Sequence, residues 1–317
     1  MKPKKTHTYT LIATLFFLSV CGGFFCKKSS ETQVTTNDSL SFIVLGDWGK
    51  YGRQNQKEVA AQMIKYGKIH DTRFVITTGD NFYPVGVRSI TDTHWQLSYE
   101  DVYIKDSLPV NWYPVLGNHD YLSNPQAQIE YASVSDRWVM PGRHYAIKQK
   151  VNGADSLLLV FTDTSPFISY YHRPEYTMAD LKTQDTAAQT RWLQATLKAS
   201  ADRWKIVVGH HPFYSVGAHG DNPDLIKRHK PILLQNKTDF YIAGHDHDLQ
   251  YLKQPNEELH YLVSGGGSEN RSVQPNAETL FAQATPGFLI ITLYSKKAHF
   301  YFYDKDGQLL YQQQIDK

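Results

Sequence analysis

Five times along the chain, a short apolar run ends in a glycine-containing polar turn whose side chains are metal-ligand types. The turns are Gly46-Asp47-Trp48, Gly79-Asp80-Asn81-Phe82-Tyr83, Gly117-Asn118-His119-Asp120, Gly209-His210-His211-Pro212 and Gly244-His245-Asp246-His247. The runs before them, residues 42–45, 74–78, 113–116, 205–208 and 240–243, have strand composition, so the polar side chains emerge where a buried strand meets its loop. Open α/β sheets build their sites at such places. One strand followed by Gly-Asp is ordinary turn chemistry. Five with this residue mix point to ligands converging from several strands on one centre.

Convergence also limits domain organisation. Candidate ligands spread from Asp47 to His247 must share one domain, and residues 41–317 are expected to form it. A content of 41% hydrophobic and 20% charged residues suits a globular enzyme with a large core. The net charge of +2, without a long basic run in the body of the chain, does not favour nucleic acid as a partner. Both cysteines, Cys21 and Cys26, precede the domain, which leaves it neither a disulfide framework nor a thiolate metal site.

The beginning of the chain reads as an export signal. Lys2, Lys4 and Lys5 precede an apolar segment, residues 11–20, too short for a comfortable membrane span. Leu18-Ser19-Val20-Cys21 resembles a bacterial lipobox, although Val20 stands where that pattern prefers a small residue; secretion, or retention of the leader as an anchor, is the alternative. Residues 1–26 are therefore expected to be a signal peptide or lipoprotein leader, and residues 27–40, rich in Ser, Thr, Asn and Lys, a flexible tether. An exported, lipid-anchored protein of the periplasm or cell surface is the expectation.

Within the domain, residues 54–66 and 187–199 have helical spacing, the second with Trp192, Leu193 and Leu197 on one side. Strands alternating with helices define an α/β class. Residues 288–294, 298–303 and 309–315 predict a terminal antiparallel meander, with Asp306-Gly307 as a hairpin turn. Residues 165–186, containing Tyr170, Tyr171, His172, Arg173 and Pro174, are the least regular stretch and read as a mobile loop near the site.

Carboxylate, imidazole, amide oxygen and phenolate together favour a hard or borderline cation, with iron, zinc and manganese as the candidates. A shared carboxylate such as Asp80 can bridge two cations about 3.5–4 Å apart, an arrangement used to hydrolyse phosphate esters.

The order GDWG, GDNFY, GNHD, GHHP, GHDH resembles the metallophosphoesterase superfamily and, within it, the small purple acid phosphatases, also called tartrate-resistant acid phosphatases. The resemblance runs from about residue 41 to 315, including residues 124–131 and 249–252, and the tyrosine of GDNFY marks the subgroup. It implies a four-layer α/β/β/α sandwich of two mixed sheets flanked by helices. It also implies that Asp47, Asp80, Tyr83 and His247 hold Fe(III), with Asp80 bridging to a second divalent metal (Fe, Zn or Mn) held by Asn118, His210 and His245. His119 and His219 match substrate-contacting positions, His119 as proton donor to the leaving oxygen. The implied reaction is acid hydrolysis of a phosphomonoester, free or on a protein, by a hydroxide made through metal coordination, without a covalent phosphoenzyme. A monomer is expected.

Two departures stand out. Animal members carry a cysteine pair that braces the irregular loop, and its absence predicts a freer loop here. His211 occupies a position where tyrosine often follows the metal histidine, which predicts altered hydrogen bonding around the ligands.

Trp48, beside Asp47, reads as a wall of the site, whereas Trp95, Trp112, Trp138, Trp192 and Trp204 read as packing. His94, His144, His172, His229 and His260 fall outside the motifs and are assigned to surface or core. Two other functions remain open: a phosphodiesterase or nucleotidase on the same core, and a non-catalytic surface-binding lipoprotein.

Overall fold

The computed structural model describes residues 38–317. The expected leader lies outside the described residues, as does nearly all of the tether. Among the described residues, no helix is long and apolar enough to cross a membrane.

Among the described residues, thirteen strands form two sheets. The first contains β1 (Leu40–Leu45), β2 (Thr72–Thr77), β3 (Asn111–Pro114), β11 (Gly287–Leu293), β12 (Lys297–Asp304) and β13 (Leu309–Asp316), in the order β13-β12-β11-β1-β2-β3. The second contains β4 (Tyr145–Lys150), β5 (Ser156–Phe161), β6 (Trp204–Val208), β7 (Phe240–Ala243), β8 (Leu249–Leu252), β9 (His260–Ser264) and β10 (Thr279–Gln283), in the order β10-β8-β9-β7-β6-β5-β4. Both are mixed: β1-β2-β3 and β5-β6-β7-β9 run parallel, while β11 lies antiparallel to β1 and β8 antiparallel to β9. Helices flank the sheets, as the α/β sandwich expectation requires.

Burial explains the order. β1 and β11 are buried along their whole length and read as near-continuous apolar runs, LSFIVL and GFLIITL. Towards the edge, β12 alternates half-buried and buried positions, and β13 is mostly exposed with three consecutive glutamines, Gln312 to Gln314. That polar edge discourages further strand pairing. The terminal meander thus exists as expected, and it completes the first sheet.

The helix Gln56–Ile69, starting and ending slightly later than its pattern predicts, buries Val59, Ala60, Met63 and Gly67 against β1, β2, β11 and β12. The helix Thr186–Lys198 begins where Asp185 accepts a hydrogen bond from the Ala188 amide at 2.8 Å, and it buries Leu193 and Leu197. Because the strands within each parallel set point the same way, the turns after β1, β2 and β3 share one edge, as do those after β6 and β7. Links such as Ser264 Oγ to the Val44 carbonyl (2.9 Å) hold the two edges together.

One expectation is corrected here. Trp48 is no wall of the site: it is fully buried among Phe82, Tyr99, Tyr103, Trp112 and Trp138, and its Nε1 donates to Asn81 Oδ1 at 3.1 Å. Its ring packs behind the ligand turn. Residues 165–186 form three short 3₁₀ turns, Ser165–Phe167, Ser169–His172 and Leu181–Thr183, pinned by buried Phe167, Ile168, Tyr171 and Leu181. The stretch lies beside the cleft that Asn118 and His119 line, as expected of it. Trp95, Trp112, Trp138 and Trp204 are buried packing residues as read, with Trp192 half-buried.

Candidate metal centre

The turns after five strands bring all seven predicted ligands together. Asp47 follows β1, Asp80 and Tyr83 follow β2, Asn118 follows β3, His210 follows β6, and His245 and His247 follow β7. Asp47, Asp80 and His245 all have left-handed backbone, with φ of 58°, 47° and 69°. Such strain in residues with side chains persists only where surroundings enforce it, and it clusters at functional sites. Here the Asp47 amide donates to the Gly79 carbonyl (3.1 Å) and the His245 amide to Asp47 Oδ2 (2.9 Å). The glycines of the turns are required by close approach. A Cβ on Gly117 would stand 2.2 Å from Asp80 Oδ1, and one on Gly244 would stand 2.4 Å from Asp47 Oδ2.

The donors fall into two groups joined by Asp80. In one, the Tyr83 hydroxyl lies 2.8 Å from Asp47 Oδ1, 2.8 Å from Asp80 Oδ2 and 3.0 Å from His247 Nε2. In the other, His210 Nε2 lies 3.1 Å from Asn118 Oδ1, 3.2 Å from His245 Nδ1 and 3.4 Å from Asp80 Oδ2.

These contacts cannot all be hydrogen bonds. The Tyr83 hydroxyl has one proton and two carboxylate oxygens at equal distance. His210 donates Nδ1–H to the Thr78 carbonyl at 2.8 Å, so Nε2 faces an amide oxygen and a carboxylate and is the atom open to a cation or, without one, to a proton. Inward-facing lone pairs are what a cation satisfies. The donor set, carboxylate, phenol, imidazole and amide oxygen, fits hard or borderline cations.

Electrostatics agree. Burial works to raise Asp80, yet the imidazoles of His210 and His119 outweigh it and hold the carboxyl well below the usual range. Burial lowers His210, but the Asp80 and Asp47 carboxylates overcome this and raise it to about 9. Burial, with Asp47 and Asp80, pushes the Tyr83 hydroxyl well above its ordinary value. The pocket thus carries negative potential that positive charge relieves.

His119 and His219 stand at the mouth. His119 donates Nδ1–H to the Pro84 carbonyl (2.6 Å), leaving Nε2 inward at 3.9 Å from Asp80 Oδ2. His219 Nδ1 bonds Asp246 Oδ1 at 2.8 Å, and its ring stacks on His245 with centroids 4.0 Å apart. Both histidines, with Asn118, Tyr171, His211 and His245, line a cleft of about 480 Å³. A larger cavity of about 780 Å³, around Trp204, Asp239, His260 and Lys317, opens at the starts of β6, β7 and β9 and contains none of these donors. Strand carboxyl ends carry the chemistry in such sheets, so the smaller cleft is the relevant one.

His211 has both nitrogens engaged, Nδ1 with Thr164 Oγ1 and Nε2 with the Tyr171 hydroxyl, each at 2.9 Å. Burial and His210 keep it well below its ordinary pKa. A neutral, fully bonded ring beside His245 ties the irregular loop to the site. His94 and His229 are buried, His144 and His260 half-buried, and His172 exposed, all apart from the ligand groups.

Several residues around the centre escaped sequence reading. Asp120 accepts from the Gly117 amide (2.8 Å), and Gln128 Nε2 donates to it at 2.7 Å, which orders the Asn118 turn. Asp246, Lys50 and Glu269 also abut ligands. Asp120 and Asp246 carried a signal because each lies inside a ligand motif, and Gln128 because it lies in residues 124–131, where the resemblance also runs.

Residues 40–249 match the calcineurin-like phosphoesterase family. The chain belongs to that family. As a calcineurin-like phosphoesterase it is a hydrolase, and it is similar to several acid phosphatases. It is 37% identical over 294 residues to purple acid phosphatase 17 of Arabidopsis thaliana, covering 87% of this chain and 84% of that one. It is 30% identical to tartrate-resistant acid phosphatase type 5 of Homo sapiens, covering 88% of this chain and 91% of that one. Among solved structures it is similar to GAP50, the anchor in the inner membrane complex of Plasmodium, with TM-score 0.78, 25% identity and coverage of 88% and 89%. Purple acid phosphatase PPD1 of yellow lupin shares the fold, with TM-score 0.64 at 16% identity and coverage of 88% and 54%.

Proposed function

We propose that this calcineurin-like phosphoesterase is a binuclear-metal acid phosphatase that hydrolyses phosphomonoesters. The observation that supports the reading is the shared carboxylate: Asp80 Oδ2 faces Tyr83 and His210 at once, 2.8 and 3.4 Å away. Asp47, Tyr83 and His247 would hold Fe(III), Asn118, His210 and His245 a divalent ion of iron, zinc or manganese, and Asp80 both. Bound there, two cations supply a water of lowered pKa and neutralise the phosphoryl charge.

The remaining chemistry belongs to the side chains. His119 keeps Nδ1–H on the Pro84 carbonyl, so Nε2 is the atom free to hold a proton and pass it to the leaving oxygen. His219, fixed through Nδ1 by Asp246, orients the ester from the other side of the cleft. The buried ligand layer excludes bulk water beneath them.

Residues 41–317 act as one catalytic domain in this proposal, exported by residues 1–26 and tethered by residues 27–40, of which Leu40 already belongs to β1, at a periplasmic or cell-surface location. The test is hydrolysis of an aryl phosphate monoester against its diester, by leaderless protein supplied with iron and a divalent metal, from acid to neutral pH. Strong monoester preference with an acidic optimum is expected. Comparable diester cleavage would favour a diesterase, and no turnover by metal-loaded protein a binding role.

A further inference from the structure

Two charged residues outside the ligand motifs straddle the Tyr83 and His247 side of the centre. Lys50 follows the Gly46-Asp47-Trp48 turn by two residues, and Glu269 lies beyond β9. Lys50 Nζ donates to Glu269 Oε2 at 3.0 Å, with the side chains 20% and 32% exposed. The same ammonium sits over the Tyr83 ring, 4.0 Å from its centroid. Glu269 Oε2 also faces His247 Nδ1 at 3.7 Å, and that nitrogen is buried with no hydrogen-bond partner.

Each contact has a physical consequence. A histidine that ligates through Nε2 needs its Nδ1–H taken by an acceptor, which fixes the ring and strengthens its donation. A carboxylate 3.7 Å away becomes that acceptor with a movement of about 1 Å, and the Lys50 bond limits where it can go. An ammonium over an aromatic face is attracted to the ring's electrons, the more so when the ring carries phenolate charge.

We propose that Lys50 and Glu269 form a positioning clamp on the Tyr83 half of the centre, with Lys50 seated on the face of the Tyr83 ring and Glu269 orienting His247. The inference rests on the reading that this half holds Fe(III). It is confined to this chain's own residues, since neither position belongs to the ligand motifs.

A phenolate bound to Fe(III) absorbs visible light by passing electron density from ring to metal. A cation on the ring holds that density and moves the band to shorter wavelength. In metal-loaded Lys50→Met, which keeps the aliphatic stem and removes the charge, the band should move to longer wavelength, and Lys50→Arg should return it towards the wild-type position. Glu269→Ala should speed loss of iron to a chelator by about 10-fold. Thermal unfolding of the metal-free variants separates these effects from general destabilisation.

A wild-type band that both Lys50 variants leave unmoved, with iron loss unchanged in Glu269→Ala, overturns the clamp while leaving the ferric reading intact. No visible band in the iron-loaded wild type overturns the ferric reading and the clamp with it.

Discussion

Tyr83 and Asp80 lie on one turn, and the tyrosine hydroxyl meets Asp80 Oδ2 at 2.8 Å. Both groups are buried, and both face the space that His210 and His247 face from the second sheet. The contact places a phenol and a shared carboxylate within a single β-turn's reach of two sheets' edges. A centre built this way depends on Asp80 more than on any other donor.

Substituting Asp80→Asn keeps the size and removes the charge that serves both donor groups. Bound metal and phosphatase activity should be lost together, activity by more than about 100-fold, since even outer residues of metal sites cost about 10–100-fold in affinity or activity. Elemental analysis beside a rate assay checks this. Full turnover without bound metal would oppose the proposed centre.

Gly117 is as demanding as a ligand, because a Cβ there would lie 2.2 Å from Asp80 Oδ1 and 2.3 Å from the Asp80 backbone nitrogen. Gly117→Ala should destabilise the fold by about 1–3 kcal/mol through overpacking and move Asn118 out of register. The denaturant midpoint of unfolding and the metal content should both fall. A variant with wild-type stability and metal would mean the turn relaxes at no cost.

The strand-end turns were legible because each couples an apolar run to glycine and a ligand-type side chain, so the positions of Asp47, Asp80, Asn118, His210, His245 and His247 could be read in order. Trp48 was misread for a local reason. Asp47 adopts left-handed backbone, which sends the next side chain into the aromatic core. The pairing of Lys50 with Glu269 spans 219 residues and arises from the docking of two sheets, which no periodicity encodes. Residues 165–186 lack a period because their 3₁₀ turns are only three or four residues long, although Phe167, Ile168, Tyr171 and Leu181 anchor them firmly.

His119→Ala should reduce kcat by about 10²–10⁴-fold for alkyl phosphates, the range expected of a lost proton donor. For aryl phosphates with acidic leaving groups the loss should be much smaller, because those groups depart without a proton. Comparing the two substrate series provides the check. An equal loss in both would make His119 a binding residue and not an acid.

Asp163 offers a pH test at a group that is not itself a donor to the centre. Burial raises its carboxyl to about 7, despite the Tyr121 hydroxyl and the Arg143 charge, against about 3.9 for an unfolded chain. The folded state therefore binds this proton more tightly. The stabilising contribution is complete below about pH 4 and is lost as pH rises through about 7. Relative to wild type, Asp163→Asn should gain in Tm on moving from pH 5 to pH 8. A constant difference in Tm across that window would show that the group does not titrate there.

The most direct measurement of the central claim is the metal stoichiometry of the purified, metal-loaded domain, counted per chain and followed during monoester hydrolysis. Two ions per chain, one of them iron, with activity lost as either is removed, is the predicted result. A single ion sufficient for full activity, or full activity with none, would contradict the account.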